Sequence, residues 1–279
     1  MNVGEACKIL ADVAPLGLAE SWDNVGLLVG DRGAPVARIM TCLTITPVVV
    51  EEAVGRRVDL VVAHHPLPFK PLAKITTDST VGSLLLGLIA AEIAVYSAHT
   101  AFDSAAGGIN HAWAKGLGAT DIRPLILADP SGGQVANEGS SVGSGRCGAL
   151  AGPMTLDQLA LSAAKVCGAA DVRVVGSGQM IRKVAIACGS GGSFLQAAVA
   201  CGCQAMITGE ATFHSCLEAQ AVGIDLVLVG HFASERFAIE QLASDLRAAI
   251  VESGSECDVF ASTADANPLR TIVITSAKH

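Results

Sequence analysis

Asp59-Leu-Val-Val-Ala-His64-His65-Pro66 is an aliphatic run that stops on two imidazoles and a proline. An unbroken apolar run of this length is what a strand covered on both faces needs, and such strands belong to parallel sheets flanked by helices. The pattern recurs. Ala94-Val-Tyr-Ser-Ala-His99 ends on an imidazole and leads to Asp103. Ala205-Met-Ile-Thr-Gly-Glu210 ends on a carboxylate with His214 four residues on, and Leu226-Val-Leu-Val-Gly-His231 ends on an imidazole with Glu235 four residues on.

Working outward, strands are predicted over 38–46, 59–63, 93–98, 172–175, 183–188, 204–208 and 225–229. Helices are predicted over 47–57, 80–92, 155–167, 193–200, 215–222 and 234–253. Alternation of this kind specifies an α/β fold with mostly parallel or mixed sheets. Polar, glycine-rich sequence at 129–145 reads as a linker or exposed hairpin. It divides a first α/β domain (1–128) from a second (146–279), whose C-terminal part feeds ligands to a shared site. The segments His99-Thr-Ala-Phe-Asp103 and His231-Phe-Ala-Ser-Glu235 share a His-x-x-x-carboxylate spacing in corresponding places. The two halves therefore read as duplicated units, with 67–79 inserted in the first.

Composition narrows the class. Hydrophobic residues are 51% and charged residues 16% of 279, a balance that excludes disorder. Eighteen basic against 26 acidic residues give a net charge of −8, which disfavours nucleic acid as a partner. The charge-free stretch 184–209 is long enough to span a bilayer, but Gly189-Ser-Gly-Gly-Ser193 breaks it into strand, turn and helix. No signal-peptide block opens the chain, and a soluble cytoplasmic protein is expected. Nine cysteines without a Cys-x-x-Cys read as reduced core residues, Cys201-x-Cys203 being the one pair spaced for a soft metal.

In open α/β sheets ligands bind outside the carboxyl ends of the strands. Five of the seven histidines (64, 65, 99, 214 and 231) follow such ends, with Asp103, Glu210 and Glu235 on the same edge. Taken singly, a histidine after a strand is more often a turn residue than a ligand, and a carboxylate near a helix start answers the helix dipole. Convergence points instead to a metal centre, and mixed imidazole and carboxylate suits Zn, Mn, Fe or Ni. His111 reads as part of a solvent-facing helix start, and the terminal His279 receives no role. The Gly189–Gly192 turn could cradle an anion but lacks the residues of a P-loop.

Several motifs together resemble one family: Ser21-Trp-Asp-Asn-Val-Gly-Leu-Leu-Val-Gly30, Ala63-His-His-Pro66, Ser97-Ala-His-Thr-Ala-Phe-Asp-Ser-Ala-Ala-Gly-Gly-Ile-Asn110, Gly145-Arg-Cys-Gly148, Gly189-Ser-Gly-Gly192, Thr208-Gly-Glu210 and Gly230-His-Phe-Ala-Ser-Glu235. They are similar to the Nif-three-like (YbgI-type) dinuclear-metal proteins, whose members carry the label GTP cyclohydrolase I type 2 homologue. The resemblance implies two similar, interlinked α/β domains and two divalent ions per chain. It places the ligands at His64, His65, Asp103, His231 and Glu235, with His99, His214 and Glu210 behind them and Asp23 packed near the site. It also implies a toroidal homohexamer. Thr44 stands where relatives usually carry Asp. If that carboxylate moves protons, Glu210 becomes the general-base candidate; if it only caps the next helix, Thr44 or Thr46 can replace it. Two functions follow from the resemblance: a metal-dependent hydrolase of a nucleotide-like or phosphorylated small molecule, or a non-enzymatic metal-binding scaffold.

Overall fold

The computed structural model describes residues 1–128, 141–176 and 178–272. The first half runs α1 (Val3–Val13), β1 (Gly26–Val29), β2 (Arg38–Cys42), α2 (Pro47–Gly55), β3 (Leu60–Ala63), α3 (Thr80–Ala90), β4 (Ala94–Ser97) and α4 (His99–Ser104). A connecting stretch carries α5 (Ile109–Gly116), β5 (Thr120–Arg123), β6 (Ile126–Leu127), β7 (Gly143–Ser144) and β8 (Arg146–Met154). The same series then returns as α6 (Leu156–Cys167), β9 (Arg173–Val175), β10 (Ile181–Ser190), α7 (Leu195–Ala200), β11 (Ala205–Glu210), α8 (Phe213–Val222), β12 (Asp225–Leu228) and α9 (His231–Glu252), before β13 (Asp258–Ala261).

Sheet order shows the duplication directly. One sheet is β1-β4-β3-β2-β13 and the other β5-β8-β10-β11-β12-β9. Each contains three parallel strands (β2, β3, β4; β10, β11, β12). Beside the last of each trio lies an antiparallel strand from the start of the same unit, β1 or β9. Both units also open on a capping box, Asn2 with Glu5 before α1 and Thr155 with Gln158 before α6, which satisfies otherwise unpaired amides of the first turn. The long segment between β3 and α3 has no counterpart between β11 and α8, as the inserted 67–79 requires.

The units are interlinked. β13, at the far end of the chain, pairs in parallel with β2, matching Val259 to Ile39 and Phe260 to Met40. β5, before the second unit, pairs with β8. The two sheets sandwich one apolar layer. Ile39, Leu60, Val62 and Tyr96 of one face it, and so do Val184, Ile186, Ile207 and Val227 of the other, around α1, α6 and α9. The alternate residues point outward: Met40, Val61 and Val95 onto α2 and α3, Ala185, Met206 and Leu226 onto α7 and α8. Coverage of both faces is why these strands read as continuous aliphatic runs.

Some expected boundaries move. β2 stops at Cys42, and Thr46 becomes the N-cap of α2 with Pro47 in its first turn. The helix expected over 193–200 is a 3-10 turn (Gly191–Phe194) followed by α7. α9 begins three residues earlier than expected, on His231 itself. The supposedly solvent-facing start of α5 buries Ile109, Asn110 and Trp113. Of the 129–145 segment, 129–140 lie outside the described residues, and β7 closes a two-stranded ribbon with β6. No helix among the described residues is long and apolar enough to cross a membrane.

Candidate metal centre

β3 and β4 of the first sheet, and β10 and β12 of the second, bring their carboxyl ends to one cavity of about 730 Å³. His64 and His65 follow β3, and the backbone of both is fixed: His64 N donates to Cys42 O and His65 N to Leu43 O. Ser97 Oγ at the end of β4 donates to His64 O (2.7 Å). His99 opens α4 at φ +30°, a left-handed conformation that a non-glycine residue holds only when its surroundings fix it. Its Nδ1 bonds Asp23 Oδ1 (2.7 Å), and Asp23 also receives the amide and hydroxyl of Thr100. Asp23 is thus a strut from the N-terminal segment to the start of α4. Against the burial that would raise it, the bonds from His99 and Thr100 hold this carboxyl at about 2.

The second unit contributes through α9. His231 and Glu235 lie one turn apart, with His231 Nε2 3.2 Å from Glu235 Oε2. The same oxygen lies 3.1 Å from His65 Nε2, while Glu235 Oε1 is 3.9 Å from His64 Nε2. Asp103 Oδ1 is 3.7 Å from His64 Nε2 and accepts from Cys188 Sγ (3.3 Å). Glu235 therefore stands among three imidazoles, and Asp103 shares His64 Nε2 with it. Among the described residues, two groups of three have donor atoms within 4.8 Å of one another: His64, His65 and His99, and His65, His231 and Glu235. His65 belongs to both. Either group could hold a metal ion.

Electrostatics separates these groups. Burial pushes His64 down to about 3, so its ring is neutral at ordinary pH. Burial, and then the Glu235 charge, push Asp103 up to about 7. Against its burial, the His231 and His65 rings hold Glu235 below the usual carboxylate range. Hydrogen bonding to Glu235 pushes His231 up to about 9, with Glu210 adding to the effect. Both ring nitrogens of His64 are buried without a hydrogen-bond partner. Leaving buried polar atoms unsatisfied costs about 1–3 kcal/mol each, and a cation at Nε2 would remove that penalty. The donor set fits a borderline divalent ion, and its outer partners fit as well. Thr44 Oγ1 bonds His65 Nδ1 (2.7 Å) and Glu210 Oε1 bonds His231 Nδ1 (3.0 Å), so Nε2 of each ring faces the cavity. Such contacts fix the tautomer of a ligating histidine.

The structure brings together His64, His65, His99, Asp103, His231 and Glu235, with Asp23 behind His99. It sets His99 level with His64 and His65 rather than behind them. Glu210 is exposed at the end of β11 and reaches the cluster through His231 alone among the described contacts. His214 is exposed on α8 with its ring against Phe213. In the glycine turn considered from sequence as an anion cradle, two amides are already used: Gly189 N donates to Ser234 Oγ and Gly191 N to Thr208 Oγ1. Sequence reasoning missed Cys188 and Asn110. Asn110 accepts from Cys188 N (2.9 Å) and donates to Asp103 O (3.1 Å), tying β10 to α4. The signal was present, since Cys188 sits near the end of a fifth aliphatic strand. Thr44 and Thr46 divide the alternatives between them: Thr46 caps α2, and Thr44 bonds a histidine.

A family model, Duf34/NIF3 (NGG1p interacting factor 3), matches residues 1–268. A relative from Clostridium perfringens, named GTP cyclohydrolase 1 type 2 homolog, is 35% identical over 84% of this chain and 87% of its own length. The Protein NIF3 homolog of Schizosaccharomyces pombe is 33% identical over 95% and 96%. The crystal structure of Staphylococcus aureus protein SA1388 superposes with a TM-score of 0.89 at 27% identity, covering 98% of this chain and 99% of that one. With a duplicated α/β fold, a histidine and glutamate cluster where the two sheets meet, and a family match over nearly its whole length, the chain belongs to the Duf34/NIF3 family.

Proposed function

We propose that this protein is a metal-dependent hydrolase that holds two divalent ions per chain. His64, His65, Asp103, His231 and Glu235 hold them, and His99 joins the His64 side. The observation that carries this reading is His65, shared by two three-donor groups, beside a His64 whose buried nitrogens lack partners. Bound ions would supply Lewis acidity, polarising a substrate oxygen and acidifying water. The chain's own residues do the rest. Thr44 and Glu210 fix the rings of His65 and His231, and Asp23 fixes His99. Glu210, the exposed carboxylate bonded to His231, is the carboxyl group outside the ligand set placed to take up a proton. The cavity has no Lys or Arg among its described lining residues. A phosphorylated or nucleotide-like substrate would thus depend on the ions for positive charge. Trp22 and Phe69, with rings 6.0 Å apart at the mouth, offer apolar faces to a flat ring.

The name of the Clostridium perfringens relative supports a nucleotide-like substrate. The test is reconstitution with Mn, Fe, Zn or Ni and a screen of nucleotides and phosphoesters. Turnover by the wild type that His64→Ala with Glu235→Gln abolishes supports the hydrolase. Metal-loaded protein inactive across the panel supports a metal-binding scaffold instead. We further propose the toroidal homohexamer and a cytoplasmic location. A mass six times that of one chain in light scattering supports the hexamer, and a monomeric mass removes it. Fractionation checks the location.

A further inference from the structure

Past β13 the chain runs on as a short strap, residues 262–265, none of which lines the cavity. Ser262 N donates to Thr41 O and so extends the pairing of β13 with β2. Ser262, Thr263 and Ala264 then bond the Glu52 carboxylate of α2. The strap ends on Asp265, whose side chain is only 2% exposed. Glu52 already fastens the strap, so tethering does not account for burying a second carboxylate beside it.

The partners of Asp265 say what it does. Its Oδ2 accepts from Leu43 N (2.5 Å) and lies 3.3 Å from Arg236 Nε. Leu43 O in turn accepts from His65 N, and the next residue, Thr44, bonds the His65 ring at Nδ1 (2.7 Å). Arg236 follows Glu235 on α9, and Glu235 Oε2 lies 3.1 Å from His65 Nε2. Arg236 is held in place by two further contacts, to Ser262 O (2.9 Å) and Glu240 Oε1 (2.6 Å). One buried oxygen therefore joins the residues that support His65, in the first unit, to the helix that carries Glu235, in the second.

We propose, resting on the metal-binding reading, that Asp265 is a positioning residue: paired with Arg236, it sets the separation of His65 and Glu235. Ligands supplied by two separate units keep an ion-binding geometry only if their supports are fixed to within ~0.5 Å. His65 and Glu235 come from different sheets, and the Asp265–Arg236 pair bridges them from behind. A buried ion pair is weak evidence for stability, since apolar side chains of similar volume often serve as well. Its use here is geometric.

The test titrates metal-free protein with Co(II), whose visible absorption reports the ligand arrangement and whose saturation reports affinity. Asp265→Asn keeps the shape and removes the charge. It should alter the spectrum and weaken binding by about tenfold, the lower end of the ~10–100-fold that supports of a ligand contribute. Glu52→Gln loosens the same strap away from the centre, and should lower the melting temperature while spectrum and affinity stay at wild-type values. If Asp265→Asn does not fold, Asp265→Leu with Arg236→Met replaces the pair by apolar side chains, a change that often costs no stability. It should show the same weakening. Wild-type affinity and spectrum in either folded variant overturn the proposal, and so does an equal weakening by Glu52→Gln. Failure of the metal-binding reading is seen separately, as wild-type protein that takes up no Co(II). Nitrogen NMR of the metal-free protein then decides. The His65 ring nitrogens should shift between wild type and Asp265→Asn, and unchanged shifts overturn the positioning role too.

Discussion

The two repeat units share a topology strand for strand and differ in what they bring to the cavity. In the first, the His-x-x-x-carboxylate segment forms α4, six residues long, whose first residue is held at positive φ. His99 there turns to Asp23, and Asp103 turns to His64 and Cys188, so the two do not pair. In the second, the same spacing opens the 22-residue α9, and His231 and Glu235 sit 3.2 Å apart on one face. A shared spacing thus yields a dispersed, imidazole-rich half and a compact half around one ionised carboxylate. Spacing alone does not determine which atoms meet; the backbone angle at the first residue and the partners it turns toward do.

The largest expected effect comes from His65, which joins the halves. His65→Ala should abolish tight binding at both clusters, beyond the ~10–100-fold that loss of a ligand-orienting partner costs, read by elemental analysis and calorimetry. Next, His99→Ala and His231→Ala should each lower the metal content by one ion and leave the other in place. Loss of both ions in either variant would break the division by halves. Gly189→Ala sharpens the same contrast from the backbone. The glycine sits at φ +61°, and a Cβ there would lie 2.4 Å from Glu235 Oε1. The His231 side should lose its ion while thermal unfolding shows a folded protein.

Smaller effects follow from the residues behind the ligands. Thr44→Val and Glu210→Gln should each weaken metal binding by ~10–100-fold, Thr44 through the first half and Glu210 through the second. The smallest lies outside the cavity. Glu52 of α2 accepts hydrogen bonds from Ser262, Thr263 and Ala264, and against burial these hold it at about 2, below its ordinary 4.5. A lowered carboxylate stabilises the fold above its unfolded value and loses that contribution as pH falls through its folded one. The melting-temperature gap between wild type and Glu52→Gln should therefore be full above pH 4.5 and close toward pH 2.

What was legible in the sequence follows from burial. β2, β3, β4, β10, β11 and β12 are covered on both faces and announce themselves as aliphatic runs ending in polar residues. That gave the fold class, the duplication and the shared edge. β8 did not, because Arg146-Cys-Gly-Ala-Leu-Ala-Gly-Pro-Met154 has small residues where neighbours press close. At Gly148 a Cβ would meet Thr120 O at 2.9 Å. β13 and β1 are four-residue edge strands with little pattern of their own. α1 carries a readable start, the capping box Asn2-x-x-Glu5, but no aliphatic run to mark it. Within the site, His64, His65, His99, Asp103, His231 and Glu235 follow strand ends and were named from them, whereas Asp23 came from the 21–30 motif. The level position of His99 and the bond from Thr44 were not legible, because both depend on backbone angles and on how loops from distant segments meet.

The crossing of β13 into the first sheet has a consequence for how the chain is made. As synthesis proceeds from the N-terminus, the first sheet emerges with β2 as a bare edge, and a free edge invites pairing with other chains. Residues 258–261 close that edge only after α9 has delivered His231 and Glu235. Completion of the fold and completion of the ligand set therefore arrive within the same few dozen residues. A chain released before β13 keeps β2 as an unpaired edge of the first sheet.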